Sequence, residues 1–166
     1  MPAMKCITLA CVIVMCAPAL PQTDPKASRD AKLIVEVKQV SVHRLDEALP
    51  ELSFEKWLAK ESGTDAQYHW ETNDCDEQTG APGGETPIPT CVEVDSTLKD
   101  GREIVIFIAD DRPGHGQPNK SAPPHWTIAF AELVTPHEKI NLRRLSDLPV
   151  ALIKTHQLTN NPEIAK

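Results

Sequence analysis

Residues 91–110, CVEVDSTLKDGREIVIFIAD, constrain the fold more than any other stretch. Two β-branched runs flank Asp100-Gly101, the composition of a hairpin. Its register follows from which side chains must meet. A two-residue loop pairs position 98 with 103 and sets Ile104, Ile106 and Ile108 against Thr97, Asp95 and Glu93. A three-residue loop, Lys99-Asp100-Gly101, pairs 98 with 102 and sets Val94 and Val92 against Ile106 and Ile108. A slip of one residue exchanges the two faces, so only the second register matches apolar with apolar. It calls for Gly101 at positive φ. The second run is apolar on both faces and belongs inside a sheet.

The remaining segments supply partners for that hairpin. AQYHWET, residues 66–72, alternates Ala66, Tyr68, Trp70 and Thr72 against Gln67, His69 and Glu71, the pattern of a half-buried strand. WTIAFAELV, residues 126–134, alternates likewise. KLIVEVKQVSVH, residues 32–43, is β-branched and partly alternating, and reads as the first strand. LPELSFEKWLAKESG holds a short helix, with Ser53 as cap, Leu52 and Trp57 as a hydrophobic staple, and Gly63 as its end. A second helix is expected from about Asp147, capped by Ser146, with Pro149 in its first turn. Residues 110–125 carry four prolines together with Gly114 and Gly116, and cannot be regular structure. No βαβ alternation appears, so no parallel nucleotide-binding sheet is implied. The expected fold is α+β: a small antiparallel sheet of about five strands with one short helix packed on a face.

The N-terminus bears on location. Lys5 precedes an apolar run over residues 6–15, and Ala17-Pro18-Ala19 follows, the form of a secretory signal peptide spanning 1–19. The run is too short for a membrane span, which takes roughly 20 apolar residues. The protein is therefore expected to be secreted or held in the periplasm or cell envelope. Cys16 stands where bacterial lipoprotein signals place a lipidated cysteine, but Met15 before it is not small, which disfavours a lipid anchor. The organisation expected after the leader is a flexible tether over 20–30, one domain over 31–158 and a loose tail over 159–166. Export leaves two cysteines, Cys75 and Cys91, in an oxidising compartment, enclosing 15 residues rich in Gly and Pro. A disulfide between them is expected, constraining the unfolded chain by about 3 kcal/mol in the loop-entropy description.

Charge narrows the function classes. The formal net charge is −7, and −8 once Lys5 leaves with the leader, which argues against nucleic acid as a partner. Residues 61–98 hold nine acids and no Lys or Arg. Within them, Asp74, Asp76, Gln78 and Glu85 take positions 1, 3, 5 and 12 of a calcium loop, but Thr79 stands where that loop needs Gly. The six histidines, His43, His69, His115, His125, His137 and His156, are scattered. His115 and His125 bracket the loop near Asp110 and Asp111 without a zinc spacing. No GxSxG elbow or phosphate-cradling glycine motif occurs. Glu93 and Asp95 are two carboxylates in a chain with many. No catalytic residue, metal or cofactor is assigned.

The order strand, helix, antiparallel meander resembles the cystatin-like roll, a fold that hosts inhibitors and other binding modules. The QxVxG hairpin of cystatin inhibitors is matched in QVSVH by Gln39 alone, so no inhibitory role is implied. The expectation is a non-catalytic binding or envelope-associated module whose partner is a protein or small ligand. The alternatives are a small secreted hydrolase with a cleft between the 110–125 loop and the acidic 71–77 segment, and an inhibitor presenting that loop.

Overall fold

The computed structural model describes residues 24–74, 90–110 and 123–160. Helix α1 (Pro25–Gln39) and the short helix α2 (Val42–Leu45) lead into α3 (Phe54–Ser62). Five strands follow: β1 (Gln67–Asp74), β2 (Thr90–Thr97), β3 (Glu103–Asp110), β4 (Trp126–Val134) and β5 (Lys139–Asn141). They form one antiparallel sheet in the order β1-β2-β3-β4-β5. A 3₁₀ turn (Leu145–Asp147) opens onto the last helix, α4 (Leu148–Asn160). The chain is an α+β protein.

The hairpin has the expected register. Val94 pairs with Ile106 and Val92 with Ile108, the Leu98 N–H donates to the Arg102 carbonyl at 2.8 Å, and Gly101 has φ 82°. β3 lies at the centre of the sheet. The pleat then decides everything on either side of it. Val92, Val94, Ile104, Ile106, Ile108, Ala131 and Leu133 are buried on one face, in one core with Val37, Val42, Phe54, Trp57, Leu58, Leu145, Leu148 and Ala151 of the helices. Phe54 stacks on Trp57 at 5.9 Å and meets Trp70 edge-on at 6.0 Å. Each such fully buried side chain contributes about 1.5–3 kcal/mol. The opposite face carries a smaller cluster of Cys91, Phe107 and Ala109, with Val105 and Phe130 beside it.

Residues 32–43 are not a strand. The helix Pro25–Gln39 takes most of them, and α2 begins at Val42. The β-branched content of LIVEV suggested a strand, but tertiary packing overrides so weak a preference. At helical spacing Leu33, Ile34 and Val37 fall on the core side, while Val35 points outward and is 59% exposed. The start signal lies in the stretch read as a tether: Asp24 accepts from the Lys26 N–H at 2.9 Å, and Pro25 opens the first turn. Helix α1 thus takes in residues 25–30, which the sequence reading places in a tether. The likeness to a cystatin-like roll loses its leading strand.

Four smaller differences share a cause, local signals weaker than those at the hairpin. β5 went unread because it has three residues; the Thr135 N–H and hydroxyl both donate to the Glu138 carbonyl to close its turn. The C-terminal helix forms, yet Ser146 is not its cap. The Arg144 N–H is held by the Asp147 carboxylate at 3.1 Å, and the Ser146 N–H and hydroxyl both donate to Asp46. Ser53 occupies the N-cap position of α3 without a side-chain cap bond. α4 also runs to Asn160, into the stretch expected to be loose.

Candidate functional site

The break between α1 and α2 builds one wall of a groove. Val40 ends α1, and the chain there zips against the entry to α3: the Phe54 N–H donates to the Val40 carbonyl at 2.7 Å, and the Val42 N–H to the Leu52 carbonyl at 2.8 Å. Val42 is fully buried, which fixes α2 in place. Asp46, just past α2, is held from a distance. Its carboxylate accepts from the Ser146 N–H at 2.9 Å, the Ser146 hydroxyl at 2.7 Å and the Ala48 N–H at 3.1 Å. Burial alone would raise the Asp46 carboxyl; those hydrogen bonds and the nearby Arg144 charge outweigh it and hold the group below the usual carboxylate range.

The opposite wall is the start of β4, where Trp126 pairs with Asp110 and the His125 N–H donates to the Asp110 carboxylate at 3.1 Å. Between the walls lies an open groove of about 580 Å³ lined by Gln39, Ser41, His43, Arg44, Glu47, His125 and Trp126, with Val40 and Pro124. His43 is oriented by its own turn: Nδ1 lies 2.9 Å from the Leu49 carbonyl. A carbonyl only accepts, so Nδ1 carries the proton, and neutral His43 keeps a lone pair on Nε2. Arg44 and Glu47 are exposed, and among the described residues neither has an ion-pair partner.

The open face of the sheet gathers the acids. Glu71 pairs with Glu93, and His69 with Asp95, across β1 and β2. Burial pushes the Glu93 carboxyl up, helped by the Asp95 and Glu71 charges and opposed by the Asn73 amide, which donates to it at 2.9 Å. Burial likewise raises Asp95, with Glu103 and Glu71 adding to the shift and His69 opposing it. A carboxyl raised in the fold favours folding while protonated. That stability is present below the unfolded value and is lost as pH rises through the folded value. Glu93→Gln is therefore expected to raise the melting temperature at pH 7, with the gain vanishing by about pH 4; melts at both pH values check it.

Among the candidates singled out in the sequence, Asp76, Gln78, Glu85, Asp111 and His115 lie outside the described residues, as does Cys75. Asp74 closes β1. Cys91 is fully buried. His69 faces Glu71 at 3.3 Å on the acidic face, whereas His43 and His125 share the groove. Among the described residues no group of three His, Cys, Asp or Glu could hold a metal ion, and no helix is long and apolar enough to cross a membrane. Sequence reasoning missed His43, Arg44, Glu47 and Trp126 as a group, because residues 39–43 were read as the end of a strand. The usable signal was Asp24-Pro25, which starts a helix and so shifts the break to Val40. No family model matches the chain, and no curated protein or solved structure matches it either.

Proposed function

We propose that the chain is an exported binding module whose groove between α2 and the start of β4 takes a peptide-like ligand bearing both a negative and a positive group. One observation carries the reading: a guanidinium and a carboxylate without ion-pair partners among the described residues, Arg44 and Glu47, line the same groove as Trp126 and two imidazoles. Arg44 suits a carboxylate, which it can grip with two parallel N–H donors. Glu47 suits an ammonium. Trp126, on the opposite wall, offers a flat apolar surface. A few convergent polar groups around an aromatic wall are the common make-up of small-ligand sites.

Tri-alanine is a suitable probe. Titrated into the protein, it is expected to change tryptophan fluorescence saturably. Trp126→Phe is expected to remove that response, and Arg44→Ala or Glu47→Ala to weaken binding by roughly tenfold each, about 1.4 kcal/mol. Saturation unaffected by all three substitutions would rule the groove out.

Export and a disulfide between Cys75 and Cys91 belong to the same proposal. The leader-like residues 1–19 and the burial of Cys91 support it. Intact mass of protein from its native compartment is expected to fit a chain cleaved near Ala19 and lacking two protons. Alkylation should add label only after reduction. Full-length protein with two alkylatable thiols is the contrary outcome.

The alternative of a small hydrolase draws on His43, whose oriented ring leaves Nε2 as a base. Ser41 lines the same groove, but its buried hydroxyl has no hydrogen-bond partner. The nucleophile–base contact that such chemistry uses is not formed. Of the 110–125 loop that an inhibitor would present, residues 111–122 lie outside the described residues.

A further inference from the structure

The sheet has two edges of unequal weight. β5 has three residues; β1 has eight. Among the described residues, no strand pairs with the outer side of β1. A long edge without Pro, bulge or Lys is a template for another strand, and β1 has none of the three. The same strand is self-complementary.

We infer that β1 pairs antiparallel with β1 of a second copy, in a two-fold arrangement centred on Trp70. Face and charge fix the register. A two-fold axis perpendicular to the sheet keeps each face continuous, so the pairing must be centred on a residue. Centring on Glu71 opposes two like charges. Centring on His69 opposes two imidazoles and sets Glu71 against Gln67. Centring on Trp70 sets His69 against Glu71 of the second copy, and Glu71 against its His69. Gln67 then meets Asn73, Tyr68 meets Thr72 and Trp70 meets Trp70. Polar pairs with polar on the open face, and on the core face the two Trp70 rings meet at the centre with Tyr68 and Thr72 on either side. His69 and Glu71 are available for this: their side chains are 68% and 48% exposed, and within one copy they already lie 3.3 Å apart on the same face. The dimer turns that single contact into a row of alternating imidazole and carboxylate across the junction.

Charge exchange tests the pairing. Sedimentation velocity of the full chain is expected to show a concentration-dependent shift from monomer to dimer. His69→Glu puts four carboxylates in the row and is expected to weaken the dimer by roughly tenfold. The double variant H69E/E71H restores the alternation in this register and is expected to recover wild-type association. Circular dichroism of each variant checks that the fold persists. Wild-type protein that stays monomeric up to millimolar concentration overturns the inference. So does a dimer indifferent to His69→Glu, or one that the double variant fails to rescue.

Discussion

Arg102→Ala is expected to lower the unfolding free energy by about 2–3 kcal/mol, the cost of removing a buried guanidinium that donates charge-assisted hydrogen bonds. The residue is only 6% exposed. Its Nε donates to Asp100 at 2.9 Å, and Nη2 lies 2.7 Å from the same carboxylate. Nη1 donates to the Leu152 carbonyl at 2.7 Å and to the Thr155 hydroxyl. That hydroxyl donates onward to the Ala151 carbonyl at 2.8 Å. One guanidinium thus joins the β2–β3 loop to α4. Alanine takes a donor from the buried Thr155 hydroxyl and the Leu152 carbonyl, while the more exposed Asp100 carboxylate can turn to water. Lysine is expected to recover little, because it cannot present a planar fork to all three. Urea denaturation measures the loss, which is large beside a total stability of about 5–15 kcal/mol.

Asp46→Ala is expected to cost roughly 3 kcal/mol, since three donors lose a charged acceptor at once. Two of those donors belong to Ser146, a hundred positions along the chain. The loss therefore concerns how α2 is fastened to the turn before α4, not α2 alone. The pH dependence carries a definite sign. Asp46 is held below the ordinary carboxylate range in the fold, so its stabilisation is complete above the unfolded value and is lost as pH falls through the folded one. Asp100 is lowered as well, chiefly by its hydrogen bond from Arg102, and acts in the same direction. Asp46→Asn keeps an acceptor and is expected to lose less at pH 7, with a shallower decline on acidification. Hydrogen exchange is expected to speed up over residues 40–48 in the alanine variant, because that wall of the groove has lost its distant anchor.

The hairpin was legible because its information is local and redundant. Asp100-Gly101 marks the turn, and the alternation on each side admits one register. α3 was legible for a similar reason: Phe54, Trp57 and Leu58 share a helical face ahead of Gly63. Residues 32–43 carry the opposite lesson. LIVEV suits either state, and what decides is the core laid down by β1, β2 and α3, which Leu33, Ile34 and Val37 join only as a helix. Asp24-Pro25 carries that choice in the sequence, upstream of LIVEV. The groove was not legible at all. It depends on where α1 stops, on Asp46 reaching Ser146, and on Asp110 receiving His125, and none of these follows from spacing along the chain.

Recognition of a two-charged, peptide-like ligand between α2 and β4 is tested most directly by ¹H–¹⁵N correlation spectra of the labelled protein during a tri-alanine titration, with acetate and butylamine as single-charge controls. Saturable shifts confined to residues 39–47 and 125–126, stronger with tri-alanine than with either control, are the expected result. An unchanged spectrum, or shifts confined to the acidic face around Glu93 and Asp95, would contradict it.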